Sequence, residues 1–375
     1  MPIMVYYMPM ARQTVKKNKK WGYIFFLLVF IIYIFIAPRP ISEEIIIKPR
    51  WISSLESDYV VSLAYNPAPG SGELLPFTLG DRFGYIEDDG KFAIKQNRKG
   101  YISLSEDTWA EYESLPSSIQ IMNPHNEAVL TIEKPEGYPL FLDKRTFIIG
   151  SGQNFITALG PSGEELWTYD FPAPITCIDA AGGFVLAGTL DGTAVLLDSS
   201  GIPVFSPFEP GGSRFSVILG CAISHNASRF ALISGIDDQR LLLLEKALDT
   251  YKVIYHESFP GGFRRPVYID FVDNDSKLVF EREGGLGIFT INSRSSISLL
   301  LEGEITGIDT FGEDGFLFVV TSQGQKEKRL IVIRYPGVVV NEAPFTSENT
   351  FFARRDKNLY IGGDLSIASF ELEKR

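Results

Sequence analysis

The sequence predicts an all-β fold: a seven-bladed β-propeller of four-stranded blades, with eight blades as the alternative, preceded by one N-terminal transmembrane helix. Two observations lead to this prediction. Short alternating strands and turns rich in Gly, Asn and Asp recur at a mean spacing of about 41 residues, which is typical of propeller blades. One apolar run without charged residues, residues 21–37, precedes them.

The first 37 residues predict a membrane anchor. Residues 1–20 contain five lysines and arginines and no acidic residue, and residues 21–37 contain no charge. Crossing a bilayer as a helix takes about 20 apolar residues, so this run is at the short end of the range. The positive-inside rule then predicts a cytoplasmic basic tail at 1–20, a single-pass signal anchor at 21–37 in the inner (cytoplasmic) membrane, and an extracytoplasmic, periplasmic body. The alternative is a cleaved signal peptide, which the absence of a small-x-small cleavage pattern disfavours.

Residues 38–80 predict a linker that includes a ring-closing strand. Prolines recur in it, and the segment NPAPGSGE has a composition typical of loops. The propeller is expected over 81–375. Because its last unit has only three strands before Arg375, a strand from within Trp51–Tyr65 is expected to supply the fourth and close the ring.

The repeated unit is clearest in its outer pair of strands. A lone hairpin is not stable in water, whereas blades stacked around a ring bury both faces and leave only short edges. In GTLDGTAVLLDSSG, residues 188–201, the glycine turns supply the positive φ that tight hairpins require. Such outer hairpins begin at Ile119, Ile156, Ala194, Leu241, Ile288 and Leu330, and a last half-copy begins at Leu365, which makes about seven units.

Charge and cysteine content exclude several classes of protein. The net charge is −11, and an acidic body is the opposite of what phosphate binding requires, so no nucleic-acid partner is expected. Only Cys177 and Cys221 are present, which excludes a disulfide framework and a CxxC pair. They are interpreted as two buried thiols in neighbouring strands, with one disulfide as the alternative.

One repeat, residues 160–201, carries a turn glycine, a strand tryptophan and the patterns G-T-x-D-G and L-D-x-x-G. These positions are Gly163, Trp167, Gly188, Asp191, Gly192, Leu197, Asp198 and Gly201. The repeat resembles the PQQ-like (quinoprotein-type) β-propeller family, and the resemblance is degenerate elsewhere in the chain.

Catalytic members of that family bind a quinone, and many have a vicinal cysteine pair, which Cys177 and Cys221 do not form. The calcium-binding residues of those enzymes have no counterparts here. The resemblance therefore implies the noncatalytic branch, which includes outer-membrane assembly lipoproteins acting as envelope scaffolds, although this chain lacks their lipobox cysteine. No enzyme activity, catalytic residue, cofactor or metal is expected.

Three aspartates end similar inner strands, in TCID, VYID and TGID: Asp179, Asp270 and Asp309. Carboxylates at one blade position would surround one mouth of the channel and could bind a cation or a basic loop. The favoured interpretation is that each caps a turn by accepting backbone N–H groups.

Two polar loops are candidate partner contacts, although solvated turns or salt bridges between loops are their default interpretation. They contribute Asp237, Asp238, Arg240, Arg264 and Arg265. The common hydrolase and nucleotide motifs are missing.

The sequence thus predicts a noncatalytic, membrane-anchored scaffold for a protein partner in a cell-envelope or membrane complex. The alternative is an enzyme or a glycan- or ligand-binding propeller that uses the channel mouth.

Overall fold

The structure is a computed structural model that describes residues 26–30, 45–57, 60–62, 74–211, 213–309 and 315–374. The chain divides into two compact units. The larger, Ile47–Glu373, contains the propeller. The smaller is Met1–Ile46 with Lys374–Arg375, in which residues 26–30 are helical.

The prediction of a transmembrane helix at 21–37 is wrong. In the part of the chain that the structure describes, no helix is both long enough and apolar enough to cross a membrane. Residues 21–25, 31–37 and the basic tail at 1–20 lie outside the described residues. The prediction of a single-pass inner-membrane location is corrected with it.

The described residues form 32 strands in eight sheets, which are the blades of the propeller. The first two strands are β1 (Ile45–Ser54) and β2 (Val60–Ser62). Blades 1 and 2 contain β3 (Leu74–Leu79), β4 (Arg82–Glu87), β5 (Phe92–Asn97), β6 (Tyr101–Leu104), β7 (Trp109–Tyr112), β8 (Ser118–Met122) and β9 (Ala128–Glu133). Blades 3 and 4 contain β10 (Gly137–Leu142), β11 (Arg145–Gly150), β12 (Phe155–Leu159), β13 (Glu165–Asp170), β14 (Ile175–Ala181), β15 (Phe184–Thr189), β16 (Ala194–Leu197) and β17 (Pro203–Phe208). Blades 5 and 6 contain β18 (Ile218–Ile223), β19 (Arg229–Ser234), β20 (Asp238–Ala247), β21 (Thr250–Pro260), β22 (Ile269–Val272), β23 (Lys277–Arg282), β24 (Gly285–Thr290) and β25 (Ser295–Leu300). Blades 7 and 8 contain β26 (Glu304–Ile308), β27 (Phe316–Gln323), β28 (Glu327–Arg334), β29 (Val338–Thr346), β30 (Thr350–Arg355), β31 (Asn358–Gly363) and β32 (Ser366–Lys374).

Burial follows the radial order of the strands. The middle strands of a blade are covered on both faces by the neighbouring blades, and β16 and β27 are buried almost throughout. Strands that are buried on both faces appear in the sequence as nearly continuous apolar runs. The outermost strands β13 and β25 alternate between exposed and half-buried residues instead. The core is therefore a series of layers between blades.

The count of seven blades is wrong, and the propeller has eight. The additional blade is blade 1, which consists of β3, β4 and β5 in the described residues. It lies within and just before residues 80–118, a stretch in which the sequence shows no complete four-stranded repeat. Its hairpin β4–β5 begins at Arg82, about 37 residues before the hairpin at Ile119, which is the offset of the later repeats.

Blade 1 begins at the second strand of a regular blade. The Arg355 guanidinium, at the end of β30, donates to the carbonyl oxygen of Leu74, at the start of β3 (3.1 Å). The Asn349 side chain, just before β30, lies against Gly80, just after β3. The two strands therefore run antiparallel, whereas inner strands such as β14 and β18 run in the same direction. A first, innermost strand is missing from blade 1 in the described part of the chain.

Blade 8 combines the two ends of the propeller. Its sheet order is β2-β1-β32-β31-β30, so β1, the first strand in the sequence, pairs with β32, the last. The sequence placed the closing strand within Trp51–Tyr65, and β1 overlaps that range at 51–54. The Trp51 Nε1–H donates to the carbonyl oxygen of Asp88 in blade 1 (2.7 Å), and the Ser53 hydroxyl donates to that of Gly90. The strand that completes blade 8 therefore also binds blade 1.

Substitution of Trp51 tests this closure. Trp51 is 1% exposed and its ring centroid lies 6.0 Å from that of Tyr360, so Trp51→Ala leaves a cavity between blades 8 and 1. We expect a loss of about 3–5 kcal/mol in the free energy of unfolding, measured by chemical denaturation. Ile52→Ala, at the neighbouring 41% exposed residue, is the control and should change it by less than about 0.5 kcal/mol. Equal effects of the two substitutions would contradict the closure.

Candidate functional site

The three predicted channel-mouth aspartates lie in or directly after inner strands, and the side chains of two of them bond to neighbouring strands. Asp179, in β14, accepts N–H bonds from Ile223 of blade 5 (2.7 Å) and from Ala180 (2.8 Å). Asp309, directly after β26, accepts the Phe318 N–H bond (2.7 Å). Its other oxygen lies 2.9 Å from the guanidinium of Arg354 in blade 8, and both side chains are almost fully buried. Asp179 and Asp309 therefore join adjacent blades.

Asp270, in β22, accepts a backbone hydrogen bond from Phe271 of the same strand. The Tyr268 hydroxyl donates to it at 3.3 Å. Burial, and next the nearby charge of Asp179, raise the pKa of Asp270 to about 6. Burial likewise raises the pKa of Asp179. Close to both, His225 donates a hydrogen bond from its Nδ1–H to Asp275 (2.8 Å), which raises the pKa of His225.

These groups do not form a metal centre. Among the described residues, no group of three or more His, Cys, Asp or Glu side chains is arranged to hold a metal ion.

The opposite ends of the inner strands surround an open cavity of about 670 Å³. Ile175 and Thr176, at the start of β14, line it, whereas Asp179 is three residues further along the same strand. The turns between β15 and β16 and between β19 and β20 also line it, as do the connections from β17 to β18 and from β21 to β22. Three of the five predicted loop residues meet here: Asp237, Arg264 and Arg265.

The two arginines at this cavity have different environments. Arg265 lies 2.7 Å from Glu281 and 3.2 Å from Glu304, which belong to blades 6 and 7. The hydrogen bond to Glu281 raises the pKa of Arg265, and Glu281 itself is 4% exposed. Arg264 is exposed and makes no ion pair within the described ranges. Arg265 therefore stabilises the blade contact, and Arg264 remains available to a partner.

Asp238 and Arg240 are not part of this lining. Asp238 begins β20 and pairs with Pro260, while the Arg240 guanidinium donates to the carbonyl oxygen of Pro210 (3.3 Å).

Sequence reasoning missed the apolar part of the cavity. Leu190 and Phe215 line it and are 53% and 51% exposed. The Arg214 guanidinium lies over the Phe215 ring, 5.5 Å from its centroid. We call Leu190, Phe215, Asp237 and Arg264 the Phe215 face. The position of Leu190 directly before the Asp-Gly turn could have indicated this apolar surface in the sequence, because an apolar residue at a turn cannot be buried in the core.

A glycine holds the Leu190 turn against the neighbouring loop. Gly192 has φ +89°, and a Cβ on it would lie 1.5 Å from the carbonyl oxygen of Ser216. Only glycine permits this approach. Leu190 and Phe215 are thereby held in fixed relative positions.

Cys177 and Cys221 lie on adjacent inner strands, β14 and β18, and both are free thiols. Burial, with the neighbouring Cys177 thiol, raises the pKa of Cys221.

Comparison with known proteins shows the family. A family model described as a beta-propeller protein matches residues 10–375, and the chain belongs to that family. A relative from Treponema pallidum (strain Nichols), described as an uncharacterized protein, is 25% identical over 363 residues, covering 95% of each chain.

Three solved propellers share the fold. BamB from Moraxella catarrhalis superposes with a TM-score of 0.58 at 12% identity, covering 87% of this chain and 100% of its own. The Dos1 propeller superposes with a TM-score of 0.57 at 13% sequence identity, covering 87% of this chain and 95% of its own. Apo AztD from Citrobacter koseri superposes with a TM-score of 0.53 at 14% sequence identity, covering 77% of this chain and 88% of its own. These likenesses confirm the propeller implied by the sequence resemblance.

The raised pKa of Asp270 predicts a pH dependence of stability. A carboxyl group with a folded pKa of about 6 and an unfolded value near 3.9 binds more protons when folded, so wild-type stability falls as the pH rises from about 4 to 6. Asp270→Asn removes this loss. We expect the variant to be about 1–2 kcal/mol more stable than wild type at neutral pH, with a difference that shrinks towards pH 4.

Chemical denaturation of both proteins across this pH range measures the effect. Asp249→Asn, at an exposed turn, is the control and should show no gain. If Asp270→Asn is no more stable than wild type at neutral pH, the environment assigned to Asp270 is wrong.

Proposed function

We propose that this chain is a noncatalytic interaction module that binds a protein partner through the Phe215 face. The observation that carries the proposal is the pair of half-exposed apolar side chains, Leu190 and Phe215, beside a cavity of about 670 Å³. Apolar anchors with charged residues at their margin are the usual composition of a binding hot spot.

The charges at its margin support a protein partner. Asp237 and Arg264 are both exposed and lie on different loops of the same cavity. Opposite charges at separate positions select the orientation of a partner more than they add affinity. Loops held by packed blades present such a pattern without having to be ordered on binding.

The channel mouth is a weaker candidate for a ligand site. Asp309 is almost fully buried against Arg354, and Asp179 is occupied by two backbone N–H bonds. A ligand would have to compete with bonds that hold adjacent blades together. The alternative of an enzyme or glycan-binding propeller at this mouth is therefore not the one we favour.

Quantitative affinity capture with matched variants tests the proposal. The tagged chain is expressed in its own cells as wild type, as Leu190→Ser/Phe215→Ser, and as Leu248→Ser. Leu248 is 93% exposed, lies in the β20–β21 turn and does not line the cavity, so it controls for loss of surface apolarity. We expect a companion protein to be depleted at least about tenfold by the double variant, equivalent to about 1.4 kcal/mol, and retained by Leu248→Ser.

The same melting temperature for all three proteins would show that folding is unaffected. A companion lost equally from both variants, or kept by the double variant, would contradict the Phe215 face. Recovery of no companion from wild type would contradict the interaction module itself.

A further inference from the structure

A second cavity, of about 780 Å³, lies between blades 2 and 3. Tyr101, Tyr112 and Tyr138 line it, together with the β7–β8 loop and the connection between β9 and β10. We name it the tyrosine groove. We propose that it binds an extended, positively charged peptide segment whose arginine or lysine side chains lie against the tyrosine rings. This site is separate from the Phe215 face and does not depend on it.

The three rings form a regular series. The centroids of Tyr101 and Tyr112 are 6.0 Å apart with planes at 25°, and those of Tyr112 and Tyr138 are 6.3 Å apart with planes at 4°. Alternate side chains of an extended peptide are about 6.6–6.8 Å apart. The spacing of the rings is therefore close to the spacing of successive side chains on one side of such a peptide.

The series is fixed by the blades that carry it. Tyr101 and Tyr112 are directly paired residues of β6 and β7. The Tyr112 hydroxyl lies 3.2 Å from the Ser103 hydroxyl, which in turn donates to the carbonyl oxygen of Pro139 in blade 3. The middle ring is thus held from both blades, while Tyr101 at the end of the series is 61% exposed. A ligand would meet rings that are already ordered.

The charge of the groove selects a cationic ligand. Glu113 and Glu136 line it and are exposed, and none of the described lining residues is Lys or Arg. Neither glutamate makes an ion pair within the part of the chain that the structure describes. Arg or Lys against a tyrosine face contributes about 0.5–2 kcal/mol, and neighbouring carboxylates add attraction that salt weakens.

The groove also offers the other contacts that a peptide requires. Leu115 beside the rings is 85% exposed, which provides an apolar contact. Ser114 and Gln153 can hydrogen-bond to a peptide backbone. Gln153 also lines the cavity of the Phe215 face, so the two sites adjoin and differ in charge: the groove carries two glutamates, and the Phe215 face carries one aspartate, Asp237, and one arginine, Arg264.

Fluorescence anisotropy with the full chain tests the proposal. The probe is a fluorescein-labelled decapeptide of alternating arginine and serine, and the matched probe has glutamate in place of arginine. We expect the arginine peptide to bind at least about tenfold more tightly than the glutamate peptide, and to lose affinity as salt is raised.

Variants of the groove locate the binding. Tyr101→Ala should weaken binding of the arginine peptide about tenfold, whereas Tyr101→Phe, which keeps the ring, should preserve it. Glu113→Gln/Glu136→Gln should weaken binding and reduce its salt dependence. Glu165→Gln/Glu371→Gln, which removes the same charge at exposed residues of β13 and β32, should do neither. Melting temperatures establish that each variant is folded.

Several results would overturn the proposal: no binding of the arginine peptide, equal binding of both peptides, or binding unaffected by Tyr101→Ala. Binding of a neutral oligosaccharide such as maltoheptaose without binding of the arginine peptide would also overturn it, because the rings would then be a sugar platform. Leu190→Ser/Phe215→Ser should leave peptide binding intact, so failure of one site is distinguishable from failure of the other.

Discussion

The structure depends on one constraint: most blades need a neighbour on both faces, because their middle strands are largely apolar. β27 is buried on both sides, and most residues of the middle strands of blades 3 to 7 are buried as well. A ring satisfies this only if the first and last blades meet. They meet where β1 joins β32 and where Trp51 binds the turn of blade 1. Closure by a strand distant in sequence links the stability of every blade to that of the others.

The fold class could be predicted from the sequence because the blade unit is local. Turn chemistry such as Asp191-Gly192 and apolar runs such as β16 specify hairpins without reference to distant residues. The number of blades was harder to predict, because blade 1 has no first, innermost strand in the described part of the chain and only its outer hairpin, from Arg82, follows the repeat. The membrane prediction rested on hydropathy alone, and no helix in the described part of the chain is both long and apolar enough to span a membrane.

The candidate sites were less predictable, because they depend on which loops the ring brings together. Sequence reasoning selected Asp237 and Arg264 as polar loop residues, and the structure places both at one cavity. It could not find the tyrosine groove, since Tyr101 and Tyr138 belong to different blades and meet only through Tyr112. Asp179 and Asp309 hold adjacent blades together through hydrogen bonds and an ion pair between inner strands. The two cavities are lined by other residues.

Native-state hydrogen exchange of β1 tests the central claim most directly. If β1 completes the ring, the hydrogen bonds between its amides and β32 can break only when the ring itself opens. Their exchange should then report the same free energy as the amides of buried strands such as β19 and β27. Exchange of β1 at a markedly lower free energy, with β19 and β27 still fully protected, would contradict the account, because the propeller would then be stable without its closing strand.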